Sequence, residues 1–159
     1  MKRQVLFVCT GNVFRSLTAE YALRLALRDR DEIAVASAGI EDRAQTVPPE
    51  VTDYLRQKKF DVSAHRRRTL TRHIIDASHL VIAMSLDHRD FIRTRFSREV
   101  PLVLECCGGP AEALLDLEEA VADYRTNPAA AVAHIRATID RIVELTPRLA
   151  ARIDALIER

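Results

Sequence analysis

Val5-Leu6-Phe7-Val8-Cys9-Thr10-Gly11-Asn12-Val13-Phe14-Arg15-Ser16 is the stretch that decides the fold. Gln4 to Cys9 is a short, β-rich apolar run, and such a run without polar alternation reads as a strand buried on both faces. Thr10-Gly11-Asn12 breaks it. From Arg15 to about Arg28 the period becomes helical: Leu17, Tyr21 and Leu25 fall at i, i+4 and i+8, and Leu23 and Leu27 widen the apolar face. Strand, glycine turn and helix within about 25 residues open a βαβ unit.

The rest of the chain repeats that alternation. A second strand is expected at Ile33 to Ser37, ended by Ala38-Gly39. A helix follows from Pro48-Pro49 to Lys59, with proline at its tolerated first turn. A short helix is expected at Leu70 to Ala77, a third strand at Leu80 to Met84 and a third long helix at Leu86 to Phe96. Val100 to Leu104 reads as a fourth strand. Glu105 to Asn127 fits either a short helix through Leu114, Leu117 and Val121 or a lid-like loop. Pro128 to Glu158 is helical, with Pro147 expected to kink or divide it. The expectation is a single α/β domain over residues 1–159, a doubly wound four-stranded parallel sheet with helices on both faces.

Composition agrees. The chain has 159 residues, of which 48% are hydrophobic and 30% charged. A domain of this length buries roughly 70% of the surface its unfolded chain exposes, enough for a core without staples. Lys+Arg is 24 against 23 Asp+Glu, a formal net charge of +1, which argues against broad attachment to nucleic acid or an anionic membrane. No apolar stretch is long enough to span a bilayer, and the four apolar residues before Cys9 are too few for a signal peptide, so a cytoplasmic location is expected. Three cysteines without a CxxC pair suggest neither a disulfide framework nor a zinc site.

Read physically, Cys9 to Ser16 is an anion cradle. Gly11 permits a sharp turn, the successive amides of Thr10, Gly11, Asn12, Val13 and Phe14 can surround oxyanion oxygens, and the following helix adds its positive end. Arg15 can clamp two oxygens with its planar fork. The same surroundings favour a thiolate at Cys9, a nucleophile to which the Ser16 hydroxyl can donate. In an open parallel sheet, ligands bind beyond the carboxyl ends of the strands, where Cys9 stands.

Cys9 to Ser16, extended by Thr18-Ala19-Glu20, resembles the phosphate-binding loop of the low-molecular-weight protein tyrosine phosphatases. Ser37-Ala38-Gly39-Ile40, Asp61-Val62-Ser63-Ala64-His65 and Ala77 to Met84 with His88 are similar to further segments of that family, in its order. The resemblance implies phosphomonoester hydrolysis without cofactor or metal. Cys9 would attack phosphorus, Arg15 and the loop amides would hold the equatorial oxygens, and an aspartic acid would protonate the leaving oxygen. Asn12, Ser37 and His65 would support the loop. It also implies a phosphotyrosine-bearing protein as substrate, a tyrosine kinase being one candidate, and inorganic phosphate or other oxyanions as inhibitors.

The chain departs from the family at several positions. No Asp-Pro pair supplies the general acid; Asp123, followed by Tyr124 beside the pocket, is the expected acid, with Asp116 in reserve. Phe14 stands where the family often has a second, protective cysteine, and Leu17 where proline is usual. Val13 is aliphatic, as in members that act on phosphotyrosine, whereas threonine there accompanies phosphoarginine. Glu41 to Val47 offers no aromatic wall. Cys106-Cys107 reads as a small apolar pair. His73, His79, His88 and His134 read as structural or surface residues, and His65-Arg66-Arg67-Arg68 as a loop or phosphate rim. Two rivals share the loop: an arsenate reductase, which needs resolving thiols, and a phosphate-binding module with little turnover.

Overall fold

A computed structural model describes residues 1–159. Strands β1 (Arg3–Cys9), β2 (Ile33–Gly39) and β3 (Leu80–Ala83) form a parallel sheet in the order β2-β1-β3. Cys9 is level with Gly39, and Val8 with both Ala38 and Ala83, so all three carboxyl ends open at one edge. The chain runs from central β1 to β2 on one side and then crosses to β3 on the other. The switch in strand order therefore falls at Cys9, where such sheets bind ligands.

Strand alternation divides the core into two layers. Val5, Phe7 and Cys9 face helices α1 (Arg15–Ala26), α5 (Val103–Cys106) and α7 (Pro128–Ile157). Leu6 and Val8 face the opposite layer, built by α3 (Arg72–Asp76) and α4 (Leu86–Phe96) through Ile75, Ile92 and Phe96. Helix α2 (Pro49–Gln57) closes a third cluster, in which Val51 and Leu55 meet Phe14, Leu17, Ile135 and Ile139. Leu17 and Leu23 in α1 and Leu27 at its C-cap are buried as the helical period requires, but Leu25 is half exposed.

The sheet has three strands, not the four expected. Val100 to Leu104 contributes one isolated bridge, Ala83 to Leu102, where the Ala83 N–H donates to the Pro101 carbonyl at 3.0 Å. Pro101 has no N–H to continue a ladder. The Leu102 N–H then donates to the Glu105 carboxylate at 3.1 Å, which starts α5 instead. Glu105 to Asn127 is mainly loop, interrupted by α6 (Leu117–Ala120). Pro147 does not divide α7: the helix runs through it, with the proline on its exposed face and Leu145 and Leu149 buried on either side.

Gly39 is where the sheet admits the loop. A Cβ built there would lie 2.7 Å from the Thr10 carbonyl oxygen and 2.9 Å from the Gly11 carbonyl carbon. Both are backbone atoms and cannot swing aside. Gly39→Ala should therefore lower unfolding free energy by about 1–3 kcal/mol, measured by denaturant titration. Unchanged stability would show that the loop has room the packing denies.

Candidate active site

The loop from Cys9 to Arg15 is held from behind by Asn12. Its backbone is left-handed, φ 59°, a conformation that asparagine tolerates better than most residues, and its side chain is fully buried. The Arg68 N–H donates to Asn12 Oδ1 at 3.1 Å, which fixes the amide's orientation. Nδ2 then donates to Ser16 Oγ at 3.0 Å and to Ser37 Oγ at 2.7 Å. His65 Nε2 meets the Asn12 carbonyl oxygen at 2.8 Å. Ser37 in turn donates to the buried Glu20 carboxylate, which Arg24 neutralises.

This ordering gives the Ser16 hydroxyl a direction. Its oxygen accepts from Asn12 and lies 2.9 Å from the Cys9 sulfur, so toward a thiolate there the hydroxyl is the donor. Cys9 is 2% exposed and lines the floor of a cavity of about 180 Å³. Thr10, Gly11, Val13, Phe14 and Arg15 line the same cavity, as do Asp116, Leu117, Glu118 and Tyr124. The expected loop residues are thus brought together, with Asn12, Ser16, Ser37 and His65 behind them. Glu41, Arg43, Gln45 and Pro48 form the wall that lacks an aromatic residue.

Arg15 is buried and three groups fix its fork. Nη1 donates to the Leu114 carbonyl at 2.8 Å, Nη2 donates to Thr10 Oγ1 at 3.2 Å, and Nη2 lies 3.3 Å from Asp116 Oδ2. The Leu114 N–H donates to the Met84 carbonyl at 3.0 Å, so the loop ahead of Asp116 is tied to the end of β3 as well as to Arg15. Asp116 Oδ1 also accepts from the Leu117 N–H at 2.9 Å, capping α6. One carboxylate is therefore held by its own helix start while its other oxygen faces the arginine.

Asp123 is placed elsewhere. It is exposed, does not line the cavity, and its Oδ2 accepts from Asn127 Nδ2 at 3.3 Å. Its carbonyl accepts the N–H groups of Thr126 and Asn127, each at 2.9 Å, so it shapes the turn into α7. Tyr124 does reach the cavity, its hydroxyl donating to Glu118 at 3.1 Å. The capping pattern at Asp116, a polar N-cap followed by Glu119 at N3, was the sequence signal for a fixed carboxylate.

Several supporting residues carried no such reading. Arg67 Nε donates to the Gly11 carbonyl at 3.0 Å and Arg68 Nε to the Ser37 carbonyl at 3.0 Å, so two arginines of the basic run hold backbone. His88 is fully buried against Thr10, with Nε2 and Oγ1 2.9 Å apart. Burial pushes its pKa down to about 4, and the Arg15 charge acts in the same direction. Cys106 and Cys107 are buried free thiols in the core; burial pushes Cys106 up to about 12 and also raises Cys107. No group of three or more His, Cys, Asp or Glu side chains is gathered for a metal ion, and no helix is long and apolar enough to cross a membrane.

The family model for low molecular weight phosphotyrosine protein phosphatases matches residues 4–157. The chain belongs to that family. It is 31% identical over 96 residues to the probable low molecular weight protein-tyrosine-phosphatase EpsP of Ralstonia solanacearum, covering 60% of this chain and 64% of that protein. It is 34% identical over 86 residues to arsenate reductase 2 of Staphylococcus haemolyticus, covering 54% of this chain and 63% of that one. The matched stretch thus spans less than two thirds of either curated relative. The YwlE arginine phosphatase from Geobacillus stearothermophilus superposes with a TM-score of 0.78 at 25% identity, over 96% of this chain and 94% of that structure.

His88 makes stability depend on pH with a definite sign. Its folded-state pKa, about 4, lies below the ordinary value of 6.5, so the unfolded chain takes up a proton first as pH falls. The stability it allows is complete above pH 6.5 and lost between 6.5 and about 4. Unfolding free energy measured across that window should fall less steeply in His88→Gln than in the wild type. Parallel curves would show that His88 titrates alike in both states.

Proposed function

We propose that this protein hydrolyses phosphomonoesters of proteins through a cysteinyl-phosphate on Cys9. The observation that carries the reading is the convergence of the Cys9 thiol, the buried Arg15 fork and the Asp116 carboxylate on a single cavity. The Cys9 thiolate attacks phosphorus, the P–O ester bond breaks, and its electron pair leaves with the oxygen. In this reading Asp116 rather than Asp123 is the acid, because it lines the cavity, and in its protonated form it gives that oxygen a proton. A phosphoryl group on the Arg15 fork competes with Asp116 for it and frees the carboxyl to face the leaving group. The carboxylate then takes a proton from water as the water oxygen attacks phosphorus and the P–S bond breaks. The Ser16 hydroxyl stabilises the departing thiolate.

Protein phosphotyrosine is the proposed substrate. Val13, Pro48, Leu117 and Tyr124 offer a largely apolar wall to an aromatic ring. Phosphoarginine is the second reading, because Glu41 and Glu118 put carboxylates at the same cavity, where a guanidinium group would be welcome. Arsenate reduction is disfavoured: neither Cys106 nor Cys107 lines the cavity, and burial disfavours both thiolates. A reducing compartment, the cytoplasm, suits a free thiol nucleophile.

Hydrolysis of para-nitrophenyl phosphate should be measurable in the wild type and lost in Cys9→Ser. Residual turnover in that variant would overturn the covalent mechanism. Asp116→Asn should slow a poor leaving group such as phenyl phosphate by roughly 10²-fold or more, and para-nitrophenyl phosphate much less. Equal losses on both, or the selective loss appearing in Asp123→Asn instead, would remove Asp116 from the acid's role. A phosphotyrosine peptide should show a higher kcat/KM than a phosphoarginine peptide; the reverse order would select the second reading.

A further inference from the structure

His88 is a buried ionisable side chain that the mechanism above does not use. It stands three residues into α4, after Ser85-Leu86-Asp87, where a side chain can reach back to the helix start. The Ser85 N–H donates to His88 Nδ1 at 3.1 Å. A backbone amide only donates, so Nδ1 is an acceptor without a proton. The Ser85 hydroxyl is directed to the Asp87 carboxylate and leaves that assignment unchanged. In the neutral ring the proton is therefore on Nε2. Nε2–H faces Thr10 Oγ1 at 2.9 Å, and Arg15 Nη2 donates to the same oxygen at 3.2 Å.

Both acceptor positions of the Thr10 hydroxyl are then occupied, and its own proton has to be donated elsewhere. Thr10 lines the cavity beside Cys9. We propose that His88 is a positioning residue: by donating to Thr10 it turns that hydroxyl into an obligatory donor toward a phosphoryl oxygen bound beside Cys9. The idea rests on the phosphatase reading of the cavity. It adds one directed donor to the loop amides, and it couples α4 to Arg15, since Thr10 also braces the arginine fork. His88 stays neutral in this arrangement. Arg15 from α1 faces it, Asp87 Oδ2 lies 3.8 Å from Nε2, and Asp116 stands across the cavity.

The test is a double-mutant cycle with Thr10→Val and His88→Phe, read as kcat/KM on para-nitrophenyl phosphate and as the inhibition constant of inorganic phosphate. Removing one hydrogen bond to a charged oxygen predicts that Thr10→Val lowers kcat/KM by roughly ten- to a hundredfold and weakens phosphate in parallel. His88→Phe should cost a large part of that factor alone and almost nothing further in Thr10→Val. His88→Gln, which restores a donor near Nε2, should recover most of the loss. Multiplying losses in the double variant, or no rescue by glutamine, would reduce His88 to a packing residue. Long-range ¹H–¹⁵N correlation of the imidazole should show the Nε2–H tautomer from pH 5 to 8; an Nδ1–H ring, or protonation in that range, would overturn the proposal. If the wild type turns over no phosphomonoester, the phosphatase reading fails. The same cycle is then read on phosphate protection of Cys9 from alkylation, where coupling of Thr10 to His88 supports the positioning role and independence overturns it.

Discussion

The active end of the molecule depends on the buried amide of Asn12. The side chain makes three hydrogen bonds, one accepted from the Arg68 N–H and two donated to Ser16 and Ser37. At about 1 kcal/mol net for each, the group is worth roughly 3 kcal/mol, and its loss would strand buried donors and acceptors besides. Its importance is directional as much as energetic. Because the Arg68 amide can only donate, Asn12 cannot flip. Because Asn12 cannot flip, the Ser16 oxygen must accept from it, and toward a Cys9 thiolate, which has no proton, the Ser16 hydroxyl is the donor. A left-handed residue beside a glycine turn thereby orients the hydroxyl that lies against the thiol.

The opposite wall is built by the same logic, with different residues. Arg15 is almost wholly buried, and a buried guanidinium without partners would be strongly destabilising. Its partners are the Leu114 carbonyl, the Thr10 hydroxyl and the Asp116 carboxylate. The first of these ties the irregular Glu105 to Asn127 segment to the loop, and the Leu114 N–H ties it to β3. A stretch that is mainly loop is thus fixed at Leu114, two residues before Asp116. The guanidinium that lines the cavity is also the charge that faces Asp116.

Much of this was legible in the sequence, for identifiable reasons. Strands and helices of the βαβ frame carry strong periods, and Cys9, Gly11, Asn12, Arg15 and Ser16 occupy a short loop whose geometry the flanking elements dictate. Ser37 and His65 arrive at the loop because β2 and the segment after α2 end beside β1. The fourth strand failed because Val100 to Leu104 has the right composition but contains Pro101, and because Glu105 rewards a helical turn over a ladder. Leu25 misled the helical reading because an apolar residue at the right period need not be covered. These are contests between local terms, and only the tertiary contacts show which one prevails.

Asp116 and His88 were harder to read for a different reason: their contacts are long-range. In the sequence the capping pattern marks Asp116 only as a fixed carboxylate, while the aromatic neighbour favours Asp123 as an acid. The distinction comes from Arg15, about a hundred residues away, which reaches the Leu114 carbonyl and so selects the carboxylate two residues later. His88 sits 78 residues from Thr10, and its capping spacing with Ser85 explains its tautomer but not its target. A single-sequence reading sees what each residue prefers locally. It does not see which distant partner uses that preference, and at this cavity the surroundings of Asp116 and of the Thr10 hydroxyl are both set by such partners.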